Sequence, residues 1–376
     1  MNSNKLFLAI LVLAGVFLLL ILHRPAPAPA PAPKTGATPP VAVRSRVIPH
    51  PATVLHLPAP RIQAAPLPAS ITPTNPPATG PMTLHDRILS GNIPRLSHAQ
   101  VDAYLLAYGR TAATLLAAYH ASGDLALLQE ALQKFPQDPR LAFAAAVNSA
   151  FTPTEQRQWL DTLAAAAPDN ALPNYLSALG YFNNGQTDQA VEELLASAGK
   201  HQFETFTSGA AAGVEQAYLS AGYTETEAKV FATLGQTFPE AGYLRQLSQD
   251  MVSLADGYQQ TGDPASAQAA LLLAANLGQS YALTSGNLLT QLVGWSVETA
   301  ALKALDPNTP YGDSGQTVQN QLDQIARQRA ELKDLVARGG PLLQAMSDSD
   351  WAGYITALQS AGEVAALQWL IAQKAR

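Results

Sequence analysis

The 376-residue chain contains no cysteine. That excludes disulfides, thiolate zinc sites, iron–sulfur clusters and a cysteine nucleophile. Charge is also scarce, at 13% of residues against 47% hydrophobic, a balance that suits Ala- and Leu-rich helices packed closely together. Acids are missing altogether from residues 1–82, which carry Lys5, Arg24, Lys34, Arg44, Arg46 and Arg61; the first acid is Asp86. Setting those six bases aside from the 22 in the chain leaves 16 against 28 acids, so the remainder carries about −12. A basic arm leads an acidic body. Such a body lacks the positive face that nucleic acid requires, and no nucleic-acid partner is expected.

Catalytic signatures are missing too. The chain has no GxSxG, no phosphate loop and no GxGxxG after a strand. Of seven histidines, His23, His50 and His56 precede the body. His85, His98, His120 and His201 are far apart and form no HExxH-like pair. His120, beside Tyr119 near a helix end, reads as a cap or surface residue. Glu192 and Glu193 are helix neighbours that point in different directions, and Asp348 and Asp350 read as caps. Trp159, Trp295, Trp351 and Trp369 read as core anchors. No catalytic, cofactor-binding or metal-binding residue is assigned, no cofactor is expected, and the chain reads as a non-enzyme.

What the chain does contain begins with Leu6–Leu22, LFLAILVLAGVFLLLIL, which as a helix spans roughly 25 Å. The competing reading is a cleaved signal peptide, but every alanine from Ala26 to Ala32 precedes a proline, which blocks cleavage. An uncleaved anchor is expected. Counting Lys5 against Arg24 and Lys34 slightly favours a cytoplasmic body. A short tail, an apolar helix and a long Pro/Ala linker resemble bacterial inner-membrane proteins that face the periplasm, TonB-like energy transducers among them as far as the linker goes. The extracytoplasmic side is therefore expected. Pro25–Pro81 has no helical or strand period and reads as a polyproline spacer with a reach of at most ~180 Å. The expected organisation is a tail (1–5), a transmembrane anchor (6–22), a Pro/Ala-rich disordered linker (23–82), a helical repeat domain (83–306) and a C-terminal helical capping segment (307–376).

Within the body, Tyr-x-x-x-Gly recurs as YHASG (Tyr119, Gly123), YFNNG (Tyr181, Gly185), YLSAG (Tyr218, Gly222) and YQQTG (Tyr258, Gly262). A fifth match, YGDSG at Tyr311, lies in a Pro-flanked turn and is set aside. The glycines are 62, 37 and 40 residues apart, and the first interval holds room for one more unit at Leu141–Ala167, with Thr152 or Thr154 as a helix cap. Each unit reads as a helix ended by a left-handed glycine and followed by a second helix. Downstream, Leu288–Leu305 reads as a buried helix. Thr317–Arg338 reads as a polar helix with Val318, Leu322, Ile325, Leu332 and Leu335 on one stripe, ended by Gly339-Gly340-Pro341. A last hairpin, capped by Ser349 or Asp350 and turned at Gly362, closes the array.

These residues resemble the tetratricopeptide repeat over roughly Ala99–Tyr281. Ala171–Glu204 matches at Ala178, Tyr181, Gly185, Ala190 and Leu194, with Pro168-Asp169-Asn170 where the preceding unit's proline should stand. Ser248–Tyr281 matches at Met251, Leu254, Ala255, Tyr258, Gly262, Ala267, Leu271 and Ala274. The resemblance implies an all-α, tetratricopeptide-like array of helical hairpins (an α-solenoid). It also implies a protein or peptide partner along the first helices of the units, at Tyr175, Leu179, Phe182 and Asn183 in one and Val252, Asp256, Gln259 and Gln260 in the other. Some members hold a terminal carboxylate with Lys and Asn at such positions; the lysine charges have no counterpart there. The function expected is a membrane-anchored scaffold in the bacterial envelope, bound to the membrane through Leu6–Leu22. The alternatives are a structural homo-oligomer built through the Leu288 or Thr317 helix, and a helical enzyme acting on cell-wall polymer.

Overall fold

The computed structural model describes residues 82–375 apart from 285, 313 and 314. The expected anchor, the Pro/Ala-rich linker and the topology they set lie outside those residues. Among the described residues, no helix is long and apolar enough to cross a membrane.

The described chain is all-α apart from one small hairpin. Its elements are α1 (Leu84–Ser90), α2 (His98–Tyr108), α3 (Ala112–Ser122), α4 (Leu125–Lys134), α5 (Pro139–Ala146), α6 (Pro153–Ala166), α7 (Leu172–Asn183) and α8 (Thr187–Ala198). There follow α9 (Ala211–Ser220), α10 (Glu225–Leu234), α11 (Pro239–Gln260), α12 (Pro264–Leu283) and α13 (Leu288–Leu302). Strands β1 (Pro310–Tyr311) and β2 (Gln316–Thr317) pair antiparallel, and α14 (Val318–Gln344) and α15 (Asp348–Lys374) end the chain.

Helix starts follow local chemistry. Thr83, Ser97, Thr111, Thr152, Thr224, Thr317 and Ser347 each accept from the backbone N–H three residues on, and the side chain at that position bonds back to the cap's own N–H. Of the two threonines proposed as a cap before α6, Thr152 is the one used. The last helix corrects the reading of Ser349 or Asp350 as its cap. Ser347 caps it, because only Ser347 has a carboxylate, Asp350, three residues ahead to complete the reciprocal pair.

Helix ends explain the Tyr-x-x-x-Gly recurrence. Gly123, Gly185, Gly222 and Gly262 have φ of 76°, 70°, 89° and 81°. After three of them the next residue donates its N–H to the tyrosine carbonyl five positions back: Gln186 to Tyr181 at 2.9 Å, Tyr223 to Tyr218 at 3.2 Å and Asp263 to Tyr258 at 2.9 Å. At the first, Gly123 itself donates to Tyr119 at 2.7 Å. The spacing is therefore that of the carbonyl that closes the turn.

Helices α3–α4, α5–α6, α7–α8, α9–α10 and α11–α12 pack as pairs, and the whole forms a solenoid-like array. Sequence order is broken in the middle of the chain and again at its end: α11 packs on α7, α9 on α2 and α3, and α15 on α10. The segment between α8 and α9 turns back along the α6–α7 junction. There Ala171 donates to Gln202 at 2.9 Å and Gln202 to Asp169 at 3.2 Å. The Asn170 side chain, 1% exposed, donates to the Glu204 carbonyl at 2.9 Å and accepts from its N–H at 3.1 Å. Helix α9 then docks closely, because a Cβ on Gly213 would lie 3.0 Å from that of Ala117. Gln216 Nε2 also donates to the Tyr108 hydroxyl at 2.8 Å.

Helix α14 continues through Gly339-Gly340-Pro341 to Gln344, which corrects the expected stop. Tertiary packing outweighs local propensity here. Both glycines are buried, and a Cβ on Gly339 would meet the Leu367 side chain at 2.9 Å, so their bareness lets α15 lie close rather than ending the helix. The expected break at Gly362 is present, with φ 85° and ψ 174° splitting α15 into two arms. The first arm reaches back to the start of the array: Trp351 Nε1 donates to His85 Nδ1 at 3.3 Å, and Gln359 Nε2 to Thr233 Oγ1 at 3.2 Å.

Candidate functional site

The expected partner face is brought together only in part. Helices α7 and α11 pack side by side, and Gln246 Nε2 donates to Asn183 Oδ1 at 2.7 Å. Phe182 and Val252 are half-buried, while Asn183, Asp256, Gln259 and Gln260 are exposed. Tyr175 and Leu179 belong to the core, the Tyr175 ring lying 6.1 Å from Phe203 of the turned-back segment.

A second feature was not legible as a site in the sequence. A cavity of about 580 Å³ opens between α3, α5, the segment before α9, and the α9–α10 pair. Its apolar wall includes Leu116, Phe143, Val147, Phe206, Val214 and Phe231. Its polar groups are Arg95, Tyr119, His120, Arg140, Asn148, Tyr218 and a few hydroxyl and amide groups. No Asp or Glu is among the described lining residues, although the body as a whole is acidic.

Most of these polar groups are already engaged. Asn148 Nδ2 donates to the Tyr119 hydroxyl at 2.8 Å, the Tyr218 hydroxyl donates to the Pro94 carbonyl at 2.7 Å, and Arg140 pairs with Asp138 through two nitrogens. Arg95 differs. It is exposed, and its guanidinium lies over the Gly123 turn, where a Cβ would come within 2.7 Å of Nη1. Among the described residues no carboxylate pairs with it. Its charge reaches both tyrosines: burial raises Tyr119, and burial with Tyr223 pushes Tyr218 up to about 12, and in each Arg95 pulls the other way.

His120 is exposed and stands in the last turn of α3, as its reading as a cap or surface residue expects. It also lines the cavity. Crowding by the surrounding protein lowers its pKa below the ordinary 6.5, although the residue as a whole remains exposed. A lowered pKa leaves the ring chiefly neutral at pH 7. Phe206, in the same wall, has φ of 56°, a left-handed conformation that costs a non-glycine residue about 1–2 kcal/mol.

The buried acids lie elsewhere. Glu240 is fully buried, accepts from the Tyr281 hydroxyl at 3.2 Å and is pushed up to about 7 by burial. Glu298, 2% exposed, accepts from the Tyr311 hydroxyl at 3.1 Å and from Gln321 Nε2 at 2.8 Å. Among the described residues no group of three or more His, Asp or Glu is placed to hold a metal ion.

Fold and site together define a helical-hairpin array with an acid-free cavity near its amino-terminal end. No family model, curated protein or solved structure matches the chain.

Proposed function

We propose that this chain is a membrane-anchored scaffold, tetratricopeptide-like in its hairpins, that presents its helical array to a protein or peptide partner in the bacterial envelope. Its anchor is Leu6–Leu22, its spacer is the Pro/Ala-rich linker, and the array faces the extracytoplasmic side. The supporting observation is the turn closure shared by the four Tyr-x-x-x-Gly hairpins, two of which, α7–α8 and α11–α12, are neighbours. Phe182, Asn183, Asp256, Gln259 and Gln260 are the contact residues on that pair, with Tyr175 and Leu179 supporting them from the core. On this reading the protein binds and does no chemistry.

The test is a photo-crosslinking residue placed at Gln259 of the full chain in its native membrane, with Arg338 on the exposed side of α14 as the control. A discrete adduct at Gln259 and none at Arg338 is expected. An adduct of twice the chain mass would identify a homo-oligomer instead. No adduct, or equal labelling at both positions, would sink the scaffold reading.

A further inference from the structure

The cavity beside α3 carries an inference independent of the α7–α11 face. Its charges count out simply. Arg140 is balanced by Asp138, His120 is neutral at pH 7, and Arg95 remains as one cation without a carboxylate partner among the described residues. One net positive charge matches one negative charge. A dianion would leave a charge uncompensated beside an apolar wall.

Size and polarity narrow the occupant further. About 580 Å³ falls within the range of cavities that hold small molecules. A peptide threaded inside would bring backbone N–H and C=O groups that need partners. Here the Asn148 amide already donates to Tyr119, and the Tyr218 hydroxyl to Pro94. The rest of the wall is chiefly apolar: Leu116, Phe143, Phe206 and Phe231. Phe206 holds its place there in a strained left-handed conformation, an arrangement that clusters at ligand sites.

The geometry points to a binding site for a small apolar monocarboxylic acid, its hydrocarbon body against Phe206 and the edge of Phe143 and its carboxylate on the Arg95 guanidinium. Arg95 suits this role because a planar guanidinium can meet a carboxylate through two parallel N–H bonds. Its other role, lying over the C-terminal turn of α3, needs only a cation near the Gly123 turn and makes no demand on a ligand.

The experiment uses the full chain in lipid nanodiscs and titrates phenylbutyrate against phenylbutanol and phenylbutylamine, which keep the apolar body and change the head. Saturable binding of the acid at one site per chain is expected, at least about tenfold tighter than the alcohol or the amine. In Arg95→Gln the acid should fall to the affinity of the alcohol, with the melting temperature lowered only by the few degrees that loss of a cation at the end of α3 implies. Arg338→Gln should change nothing. Ala144→Trp, which fills the cavity, should remove binding of both acid and alcohol. Because so large a residue at Ala144 can also unfold the protein, the acid-to-alcohol ratio in Arg95→Gln carries the decision. Equal affinity for acid and alcohol in the unmodified chain, an acid preference that survives Arg95→Gln, or no saturable binding of phenylbutyrate would each overturn the assignment.

Discussion

At the residue scale, the turn glycines isolate backbone conformation from packing. Gly185 and Gly262 have positive φ, and a Cβ at either position would meet nothing within 4 Å. Substitution there strains the backbone without a clash. Gly185→Val and Gly262→Val should each destabilise by roughly 1 kcal/mol or more, and the Asn versions by less, since Asn tolerates the left-handed region. Gly180, inside α7 and equally open, is the contrast: Gly180→Ala should stabilise by up to about 1 kcal/mol, as alanine does in a helix. Thermal melts of the five variants check this. Equal shifts at all positions would remove the role given to the Tyr carbonyl. Glu240 yields a second expectation. Its folded pKa of about 7 stands above the ordinary value of 4.5, so the folded protein holds the extra proton between those values. Stability from this group is therefore full below pH 4.5 and lost as pH rises through about 7, a difference on the order of 3 kcal/mol. Glu240→Gln should raise the melting temperature at pH 8 more than at pH 5. Some pH dependence should remain, because Asp250, pushed up to about 6 by burial, acts in the same direction. A variant that gained nothing at pH 8 would show that the Glu240 charge is tolerated.

At the element scale, α12 and α13 are held by bare backbone. A Cβ on Gly278 would strike the Glu298 N–H and lie 2.6 Å from the Gly294 carbonyl, and one on Gly294 would lie 2.5 Å from the Gly278 carbonyl. These contacts are with backbone, which cannot swing aside as a side chain can. Gly278→Ala and Gly294→Ala should each cost ~2 kcal/mol or more, although alanine is the better helix former. Denaturant melts showing either variant as stable as the parent would mean that the two helices separate easily. The elements also show what a single sequence discloses. The cap expected for α15 at Ser349 or Asp350 fell too late, but the start of α6 at Thr152, the four glycine turns and the buried α13 were legible because each is set by residues within about five positions of one another. The run of α14 through Pro341 was not, because its cause is Leu367 on another helix. Nor was the cavity. Arg95, His120, Phe143, Phe206 and Tyr218 come together only because α9 packs on α3, and the residue that directs the chain there, Asn170, reads locally as an ordinary turn asparagine.

At the scale of the whole molecule, the first arm of α15 connects the end of the array to α1 and α10 through Trp351 and Gln359. In an open solenoid, loss of the last helix frays only the adjacent end. Here, ending the chain at Met346 should strip hydrogen-exchange protection from α1 and α10 together, although both are distant from the cut in sequence. Loss confined to α13 and α14 would show that the contact with α15 contributes little. The placement of α9 against α3 also bears on how the chain is made. The side of α3 that carries Ala117 stays uncovered during synthesis until Gly213, nearly a hundred residues later, has left the ribosome. Local hairpins such as α5–α6 and α7–α8 can close as they emerge, whereas the amino-terminal pair must wait for a distant partner. For that interval the nascent protein carries an apolar surface in need of shelter, and a chain released early, before α9, would be an aggregation-prone fragment rather than a shorter working array.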